Sequence, residues 1–427
     1  MWNPGLTGKN EQPDMDFDQD TEALEPGANQ TPFGRAMRNH WLLDPAIIYL
    51  NHGTVGATPK QVLAVQQALR EEMEQQPARF LLRELSALSG PSDRAMPRLR
   101  EAAQAVARFV GAEGQDLVFV DNATTGVNAA LGSLELQPGD EILITNLAYG
   151  AVCNAAAFAA ERRGARLVTL ELPFPVSSPA DYVNRLAQAL TPRTRLAILD
   201  HITSETALVL PLAEMAACCR AAGVPVLVDG AHAPGAIPLD IPSLGVDYYT
   251  GNLHKWALAP KGCGFLWVAP ERQQSLHPPV ISWGLGQGFV QEFDWVGTKD
   301  PTPYLAAPAA LGLMQAWGLD AMEAYNHHLA WQAAVWLTVR WGFELPAPKA
   351  MLGCMATLPL PASLCSTRED AVRLQYALLY EHRIEAPILC LGGRLWVRIS
   401  AQVYNTLEDV EALAQAIDTH SGSIVHF

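Results

Sequence analysis

The sequence is poor in several features, and each shortage argues against a class of protein. Its seven cysteines in 427 residues show no CxxC spacing, which argues against a disulfide scaffold and against a zinc ribbon. Acidic residues outnumber basic ones by 44 to 29, so the basic surface of a nucleic-acid-binding protein is absent. No run of about 18 uncharged apolar residues could span a membrane. The N-terminus lacks a secretory pattern, so we expect a cytoplasmic protein with reduced thiols and with neither membrane nor nucleic-acid partners.

Apolar residues are abundant instead, at 49%, whereas charged residues make up only 17%. This balance favours an extensive buried core, and the length favours two or three domains. The first 34 residues differ, because they hold seven acids and one lysine. They predict either a mobile tail or an acidic binding motif.

Short apolar runs alternate with helical stretches between about residues 60 and 275. Runs without polar alternation are typical of strands that are buried on both faces, as in a parallel sheet covered by helices. We therefore predict an α/β fold. The predicted strands are Leu117–Val120, Glu141–Thr145, Arg166–Glu171, Leu196–Leu199, Val224–Asp229, Val246–Tyr249 and Gly264–Val268.

After Trp317 a long helix is predicted through about Trp341, followed by mixed elements. We expect an acidic flexible tail over 1–35, a large domain over 36–300, and a linking helix with a small C-terminal α+β domain over 301–427. The predicted elements of the small domain are strands Met355–Leu360 and Leu395–Ser400 and helices Arg368–Glu381 and Leu407–Thr419.

The strongest chemical signal is an aspartate and a lysine at two strand ends. Asp229 ends an apolar run, and Lys255 follows 26 residues later, shortly after the next predicted strand. The carboxyl ends of parallel strands share one edge of a sheet, where α/β proteins bind their ligands. Pyridoxal phosphate chemistry needs a lysine that forms an imine and a carboxylate that keeps a pyridine nitrogen protonated. A turn-capping aspartate and a surface lysine are the plainer alternative.

The polar turn Asp121–Asn128, directly after Leu117–Val120, is a second signal. It precedes a predicted helix, so its NH groups and threonine hydroxyls can bind a phosphate at the positive helix end. An ordinary helix cap is the alternative. Asn252 and His254, beside the lysine, can add donors, although His254 can equally be a packed histidine.

A third signal is Arg398, which lies inside the apolar run Leu395–Ser400. A buried guanidinium needs a partner, and a substrate carboxylate is a suitable bidentate one. An internal salt bridge is the alternative.

Tyr149, just after Glu141–Thr145, can stack on an aromatic cofactor or simply pack in the core.

Together these residues resemble the fold-type I pyridoxal phosphate enzymes of aminotransferase class V, and most closely the isopenicillin N epimerase-like branch. The resemblance covers roughly residues 40–420. It implies a mainly parallel seven-stranded sheet between helices, pyridoxal 5'-phosphate as cofactor and a homodimer with shared active sites. The motifs that carry it are Leu50–Gly53, Phe80–Arg83, Thr191–Leu196, Val228–Gly235, His254–Pro260, Gly297–Asp300 and Arg398–Ala401.

The resemblance also implies a role for each matching position, and it implies no metal. Lys255 matches the lysine that forms the Schiff base, and Asp229 matches the partner of the pyridine nitrogen. Arg398 matches the residue that binds the substrate carboxylate, and Thr298 one that reaches the phosphate in the neighbouring subunit. Further substrate-binding positions are Asn51 and His52, and further cofactor-binding positions are Ala123, Thr124, Tyr149, His232 (at the phenolic oxygen), Asn252 and His254.

These features predict an enzyme that labilises a Cα bond of an amino acid or aminoacyl substrate, with epimerisation as the leading reaction. C–S lysis and transamination on the same cofactor are alternatives, and a binding protein without cofactor is an alternative of another class. A cysteine desulfurase needs a reactive thiolate, whereas the apolar neighbours of Cys390 are typical of a core position. Glu205 and Ala207 replace the epimerase's Pro and Gly, and Asn252 replaces the family's usual serine.

Overall fold

The computed structural model describes residues 33–86, 94–364 and 366–422. The predicted acidic tail lies almost wholly outside these ranges. The strands are β1 (Ile48–Tyr49), β2 (Leu117–Val120), β3 (Glu141–Thr145), β4 (Arg166–Leu170), β5 (Thr194–Asp200), β6 (Val226–Gly230), β7 (Tyr248–Asn252), β8 (Gly264–Val268), β9 (Met355–Pro359), β10 (Ile384–Glu385), β11 (Ile388–Leu391) and β12 (Arg394–Ser400). The helices are α1 (His52–Val55), α2 (Lys60–Gln75), α3 (Pro77–Arg79), α4 (Arg98–Phe109), α5 (Ala123–Ser133), α6 (Gly150–Glu161), α7 (Pro179–Ala189), α8 (Leu212–Ala221), α9 (Phe289–Asp294), α10 (Thr302–Leu305), α11 (Ala307–Trp317), α12 (Leu319–Trp341), α13 (Arg368–His382) and α14 (Leu407–Gly422).

A seven-stranded sheet dominates the described residues, with the strand order β2-β8-β7-β6-β5-β3-β4. Strands β3 to β7 run parallel, and β8 is antiparallel to both of its neighbours. Every residue of β2, β3, β6 and β8 is buried, as expected of strands covered on both faces. The predicted α/β fold with a mainly parallel seven-stranded sheet is confirmed.

The reversal at β8 determines where Lys255 lies. Residues 253–263 connect β7 to β8, a connection shorter than the dozen or more residues that a parallel crossover requires. The chain therefore turns back at the carboxyl end of β7 and pairs antiparallel. Lys255 lies in this turn, three residues after β7 ends at Asn252.

Strand β7 begins and ends later than the predicted strand Val246–Tyr249, and it includes Gly251. Glycine weakens a strand in isolation, so the sequence pattern stops short of it. Here the glycine is required by packing, because a Cβ at Gly251 would lie 2.7 Å from a ring carbon of Phe265.

The C-terminal part of the chain forms a second sheet, with the order β11-β12-β9 and antiparallel pairing throughout. Its predicted helices and two predicted strands are present with small shifts at their ends. Strand β1 pairs in parallel with β10, so the N-terminal segment is hydrogen-bonded to the C-terminal part. The division at residue 300 stays a prediction. No helix in the described ranges is long and apolar enough to cross a membrane.

Candidate active site

A cavity of 290 Å³ lies at the carboxyl ends of the parallel strands. Strands β5, β6 and β7, the start of α5 and strand β12 all contribute to its wall. The predicted site residues that line it are Ala123, Thr124, Tyr149, Asp229, His232, Asn252, His254, Lys255 and Arg398. Asn122, from the predicted phosphate-binding turn, also lines the cavity. The lining residues for which no role was predicted are Thr54, Asp200, Ile202, Ser204 and Ala231.

The side chain of Lys255 extends into this cavity and meets a histidine. Its Nζ lies 3.1 Å from Nε2 of His232. Burial lowers the pKa of Lys255 to about 8, an effect that Arg398 strengthens and Asp229 opposes. Burial also lowers the pKa of His232 well below its ordinary value, so the imidazole is neutral and its Nε2 can accept a hydrogen bond from the lysine. Lys255 is thus a partly neutral amine, as a nucleophile or base must be.

Asp229 is the penultimate residue of β6 and lies in the cavity wall, where only 5% of it is exposed. One carboxylate oxygen accepts a hydrogen bond from the backbone NH of Ala231 at 3.0 Å. Burial raises the pKa of Asp229, while that NH group and the Lys255 ammonium oppose the rise. A buried carboxylate is stabilised by a neighbouring cation, so Asp229 can bind a protonated ring nitrogen.

The first turn of α5 provides donors suited to a phosphate. Asn122 caps the helix by accepting the NH of Thr125 at 3.0 Å, and Asn252 accepts the NH of Ala123 at 2.8 Å. Thr124 lies in the same turn and lines the cavity. Asn252 therefore fixes the helix start as well as facing the cavity. The positive end of this helix favours an anion at Thr124.

His254 lies on the same side of the cavity and is held by the backbone. Its Nδ1 donates to the carbonyl oxygen of Cys263 at 3.0 Å, which leaves Nε2 for the cavity. Burial lowers the pKa of His254 to about 4, so the ring is neutral.

Arg398 reaches the cavity from β12 and is 5% exposed. Its Nη1 donates to the carbonyl oxygen of Ser204 at 2.5 Å, and its Nη2 donates to the hydroxyl of Thr54 at 2.6 Å. Its Nε has no hydrogen-bond partner among the described residues. Burial lowers the pKa of Arg398 to about 10, and the charge of Glu205 opposes this shift. The guanidinium has neutral oxygens around it, so it can still bind a carboxylate.

Asn51 and His52 do not line the cavity. His52 is fully buried, donates from Nε2 to the backbone carbonyl of Lys255 at 3.1 Å, and lies 2.9 Å from the hydroxyl of Tyr404 through Nδ1. Asn51 donates to Glu385 at 2.9 Å. His52 therefore supports the turn that carries Lys255. The assignment of both residues to substrate binding stays a prediction.

Tyr149 and Thr298 lie further out than the other predicted site residues. Tyr149 lines the cavity but is 48% exposed, which places it at the rim. Thr298 is exposed and does not line the cavity of its own chain. Its neighbour Lys299 forms an ion pair with Asp121 at 2.7 Å, so this segment is anchored just before α5.

Asp200 is the most informative residue that sequence reasoning missed. It is the last residue of β5, and it is paired with Asp229, near the end of β6, in the register of these adjacent parallel strands. The signal was present, because an apolar run ending in aspartate occurs in both segments. Only the run that ends at Asp229 is followed by glycine and, three residues after the aspartate, by histidine.

The cavity fits pyridoxal phosphate by its donor set. It combines an anion site at the start of α5, a buried carboxylate at Asp229, and a partly neutral lysine. Two buried nitrogen atoms, Nδ1 of His232 and Nε of Arg398, lack partners among the described residues. Its volume of 290 Å³ is near the lower end of the range of about 300–1,000 Å³ for ligand pockets.

Comparisons with known proteins identify the family and the fold. The aminotransferase class-V family model matches residues 48–413. Isopenicillin N epimerase of Streptomyces clavuligerus is 34% identical over 403 residues, which cover 90% of this chain and 98% of the epimerase. A probable chloroplastic L-cysteine desulfhydrase of Arabidopsis thaliana is 33% identical over 404 residues, 88% of this chain and 83% of the relative. In fold, the cystine C–S lyase C-DES is similar with a TM-score of 0.71 at 24% identity, over 87% of this chain and 97% of that one.

Proposed function

The chain belongs to the aminotransferase class V family of pyridoxal phosphate enzymes, and we propose that it exchanges the Cα proton of an amino acid or aminoacyl substrate, as an epimerase does. The observation that carries this proposal is the environment of Lys255. Its amine is buried with a pKa lowered to about 8, and it shares one cavity with Asp229 and Arg398. An amine of this kind can remove a proton from carbon and return it.

Each part of the cavity has a task in this reaction. Pyridoxal phosphate, when bound, would supply a ring that accepts the electron pair left at Cα. Thr124 and the first turn of α5 would hold the phosphate, and Asp229 would hold the proton on the ring nitrogen. Lys255 moves the proton on one face of Cα, and inversion requires that a proton return from a donor on the opposite face. His232, 3.1 Å from the lysine Nζ, accepts the hydrogen bond that keeps this amine in place.

Arg398 gives the substrate its orientation. It is the buried cation on the β12 side of the cavity, and its Nε has no partner within the described part of the chain. A substrate carboxylate would therefore find a charged donor there, which fits an amino acid better than a simple amine. Glu205, exposed beside Ser204, adds a negative charge near Arg398 and would disfavour substrates with a second anionic group.

C–S lysis of a cysteine-type substrate is the second candidate. It is supported by the desulfhydrase relatives, which match this chain as well as the epimerases do. Elimination needs the same lysine, aspartate and arginine and no cysteine. Transfer of sulfur to a protein thiol is disfavoured, because Cys390 lies on β11 outside the cavity and its thiol donates to the carbonyl oxygen of Ser366 at 3.1 Å.

One experiment separates the two reactions. The holoenzyme is incubated in deuterium oxide with L-amino acids, peptidyl amino acids and cysteine conjugates. We expect solvent deuterium at Cα together with loss of chirality. Release of pyruvate, ammonia and a thiol without racemised substrate would replace epimerisation by lysis. Retention of the Cα hydrogen in every substrate would contradict both candidates.

The Arg398→Ala variant is the control for either outcome. It should lose activity while it keeps bound pyridoxal phosphate, because the arginine would contact substrate and not cofactor. Full activity in this variant would contradict the proposed role of Arg398 in substrate binding.

A homodimer with shared sites is part of the proposal. Thr298 is exposed and lies outside the cavity of its own chain, as a residue that serves the partner's phosphate would. Thr298→Ala should weaken cofactor binding by about 1.5–3 kcal/mol, the range for one hydrogen bond to a charged group. Analytical ultracentrifugation gives the oligomeric state. A monomer that binds the cofactor at full strength would contradict the proposal.

We also propose a cytoplasmic location. Six cysteines are free in the described ranges, and Cys219, Cys263 and Cys354 are buried. Free thiols of this kind fit a reducing compartment. Fractionation of cells that express the protein would test the location.

A further inference from the structure

The cavity contains a carboxyl group that the proposed chemistry does not use. Asp200 and Asp229 are register partners at the ends of β5 and β6. Adjacent strands lie about 4.8 Å apart, and partner side chains point to the same face of the sheet. Both residues line the cavity, with 3% and 5% of their surfaces exposed. Two carboxyl groups therefore lie side by side, almost without water.

The groups that face Asp200 include no cation. Asp229 approaches from β6 and the thiol of Cys153 from α6. The backbone NH groups of Asp200 itself and of Tyr149 donate to the carboxyl group and lower its pKa, but burial and the charge of Asp229 raise it by more. In the part of the chain that the structure describes, no lysine or arginine forms an ion pair with Asp200. Lys255 acts on Asp229, and the Nη atoms of Arg398 donate to neutral oxygens.

We propose that Asp200 holds a proton at neutral pH and so leaves Asp229 as the single ionised carboxylate at the cofactor's ring nitrogen. Two neighbouring carboxylates in a dry site do not both ionise readily. Lys255 stabilises the ionised form of Asp229, so the proton falls to Asp200. Burial and the charge of Asp229 both raise the pKa of Asp200 well above its usual range, in agreement with this assignment.

A protonated, neutral Asp200 favours the binding of anions in this cavity. A phosphate and a substrate carboxylate both carry negative charge, and a second ionised aspartate would repel them. A neutral Asp200 removes that repulsion and leaves Asp229 without a competing anion beside the ring nitrogen. Asp200 is therefore a positioning residue that acts through Asp229. Its role at the ring nitrogen rests on the proposed function, whereas its protonation does not.

Infrared difference spectroscopy tests the protonation directly. The wild-type protein without pyridoxal phosphate is compared with Asp200→Asn, which mimics the neutral acid in shape. We expect a C=O band of a protonated carboxyl group in the wild type that shifts in deuterium oxide and is lost in the variant. Asp121→Asn is the matched control, because Lys299 holds the pKa of Asp121 low and the band should remain. A wild-type spectrum without such a band would overturn the proposal.

Cofactor affinity then identifies which aspartate carries the proton. If Asp200 carries it, the dissociation constant of Asp200→Asn for pyridoxal phosphate should lie within about threefold of the wild-type value at neutral pH. The dissociation constant of Asp229→Asn should be at least tenfold higher than that of the wild type. The reverse order would assign the proton to Asp229 and refute the proposal. Asp200→Ser replaces the Asn variant if the latter does not fold. Failure of the wild type to bind the cofactor would refute the proposed function alone, since the infrared result is obtained without it.

Discussion

The two edges of the seven-stranded sheet contain buried carboxylates in opposite electrostatic states. At the amino edge, Glu141 begins β3 and is 2% exposed, yet it accepts hydrogen bonds from Thr191 at 2.6 Å and from Nε of Arg193 at 3.0 Å. At the carboxyl edge, Asp200 and Asp229 are equally buried, and no arginine pairs with either of them in the described ranges. The same type of group is therefore paired with arginine at one edge and without an arginine partner at the other.

The pKa values follow this difference. The hydrogen bond from Thr191, followed by those from arginine, lowers the pKa of Glu141, whereas burial raises the pKa of Asp200 and of Asp229. A buried charge without a partner reduces stability unless a ligand supplies the partner. The amino edge thus stabilises the fold, and the carboxyl edge retains electrostatic strain that a bound cation can relieve.

The largest effect is expected at Lys255. Lys255→Ala removes the amine on which the proposed chemistry depends, so activity should fall by more than about 10³-fold. Borohydride treatment followed by mass spectrometry should find no pyridoxal phosphate attached to the variant. Lys261→Ala is the matched control: it removes another lysine from the same turn, an exposed one that donates to Thr58 at 3.3 Å. Attachment of the cofactor to Lys261 in the wild type would exclude the assignment of Lys255.

A pair of isosteric substitutions tests the contrast between the two edges. Asp229→Asn should lower turnover by about 10²–10³-fold, because a preorganised charge is lost. It should raise the unfolding free energy of the protein without cofactor, because it removes a buried charge whose pKa is raised on folding. Glu141→Gln should leave turnover unchanged and lower the unfolding free energy by about 1 kcal/mol, since its arginine partners are largely exposed. Steady-state kinetics give the turnover of each variant, and urea unfolding gives its free energy of unfolding. Equal effects of the two substitutions on stability would remove the distinction between the edges.

The contrast also marks the limit of prediction from sequence. Strand ends that carry Asp229 and Lys255 could be located because buried parallel strands have a strong apolar pattern and their carboxyl ends share one edge. The functions of His52 and Asp200 could not, since both depend on register and on contacts across more than a hundred residues or between strands. His52 contacts the backbone of Lys255, and Asp200 is adjacent to Asp229 only because β5 pairs with β6 in this register. Apolar patterns determine elements, whereas pairing between elements determines which polar groups meet.

The pH dependence of stability should differ in sign between the two edges. The pKa of Glu141 is lowered on folding, so its contribution is present above the unfolded pKa near 4.5 and is lost as the pH falls. The pKa of Asp200 is raised on folding from 3.8, so its unfavourable contribution is absent in acid and grows as the pH rises toward the raised value. Urea unfolding of the protein without cofactor should therefore show Asp200→Asn gaining stability over wild type as the pH rises.

Glu141→Gln should show the opposite trend. Its free energy of unfolding is expected to be lower than that of the wild type, and this difference should shrink as the pH falls below 4.5. Parallel curves for all three proteins would mean that neither carboxylate changes its pKa on folding.

The smallest effect concerns backbone strain, which also differs between the edges. Left-handed positions before β4 and β6 are occupied by Gly164 and Gly223, with φ of 67° and 68°, whereas Ala207, after β5, has φ of 57°. A left-handed alanine costs about 1–2 kcal/mol, so Ala207→Gly should gain this amount. Two effects of the substitution oppose this gain: a fully buried methyl group is lost, and the unfolded chain gains freedom. Together they cost about as much stability as the relief of strain contributes, so the net change in the free energy of unfolding should be near zero.

Ala333→Gly is the matched substitution that isolates the strain. Ala333 is equally buried but lies inside α12, where glycine costs about 1 kcal/mol in helix propensity and a further 0.8 kcal/mol or so for the lost methyl group. The helical variant should therefore unfold about 2 kcal/mol more easily than wild type, while Ala207→Gly should unfold at nearly the wild-type denaturant concentration. The gap between the two measures the strain that the cavity edge retains. If both variants lost the same stability, the segment after β5 would be unstrained, and strain would not distinguish the two edges.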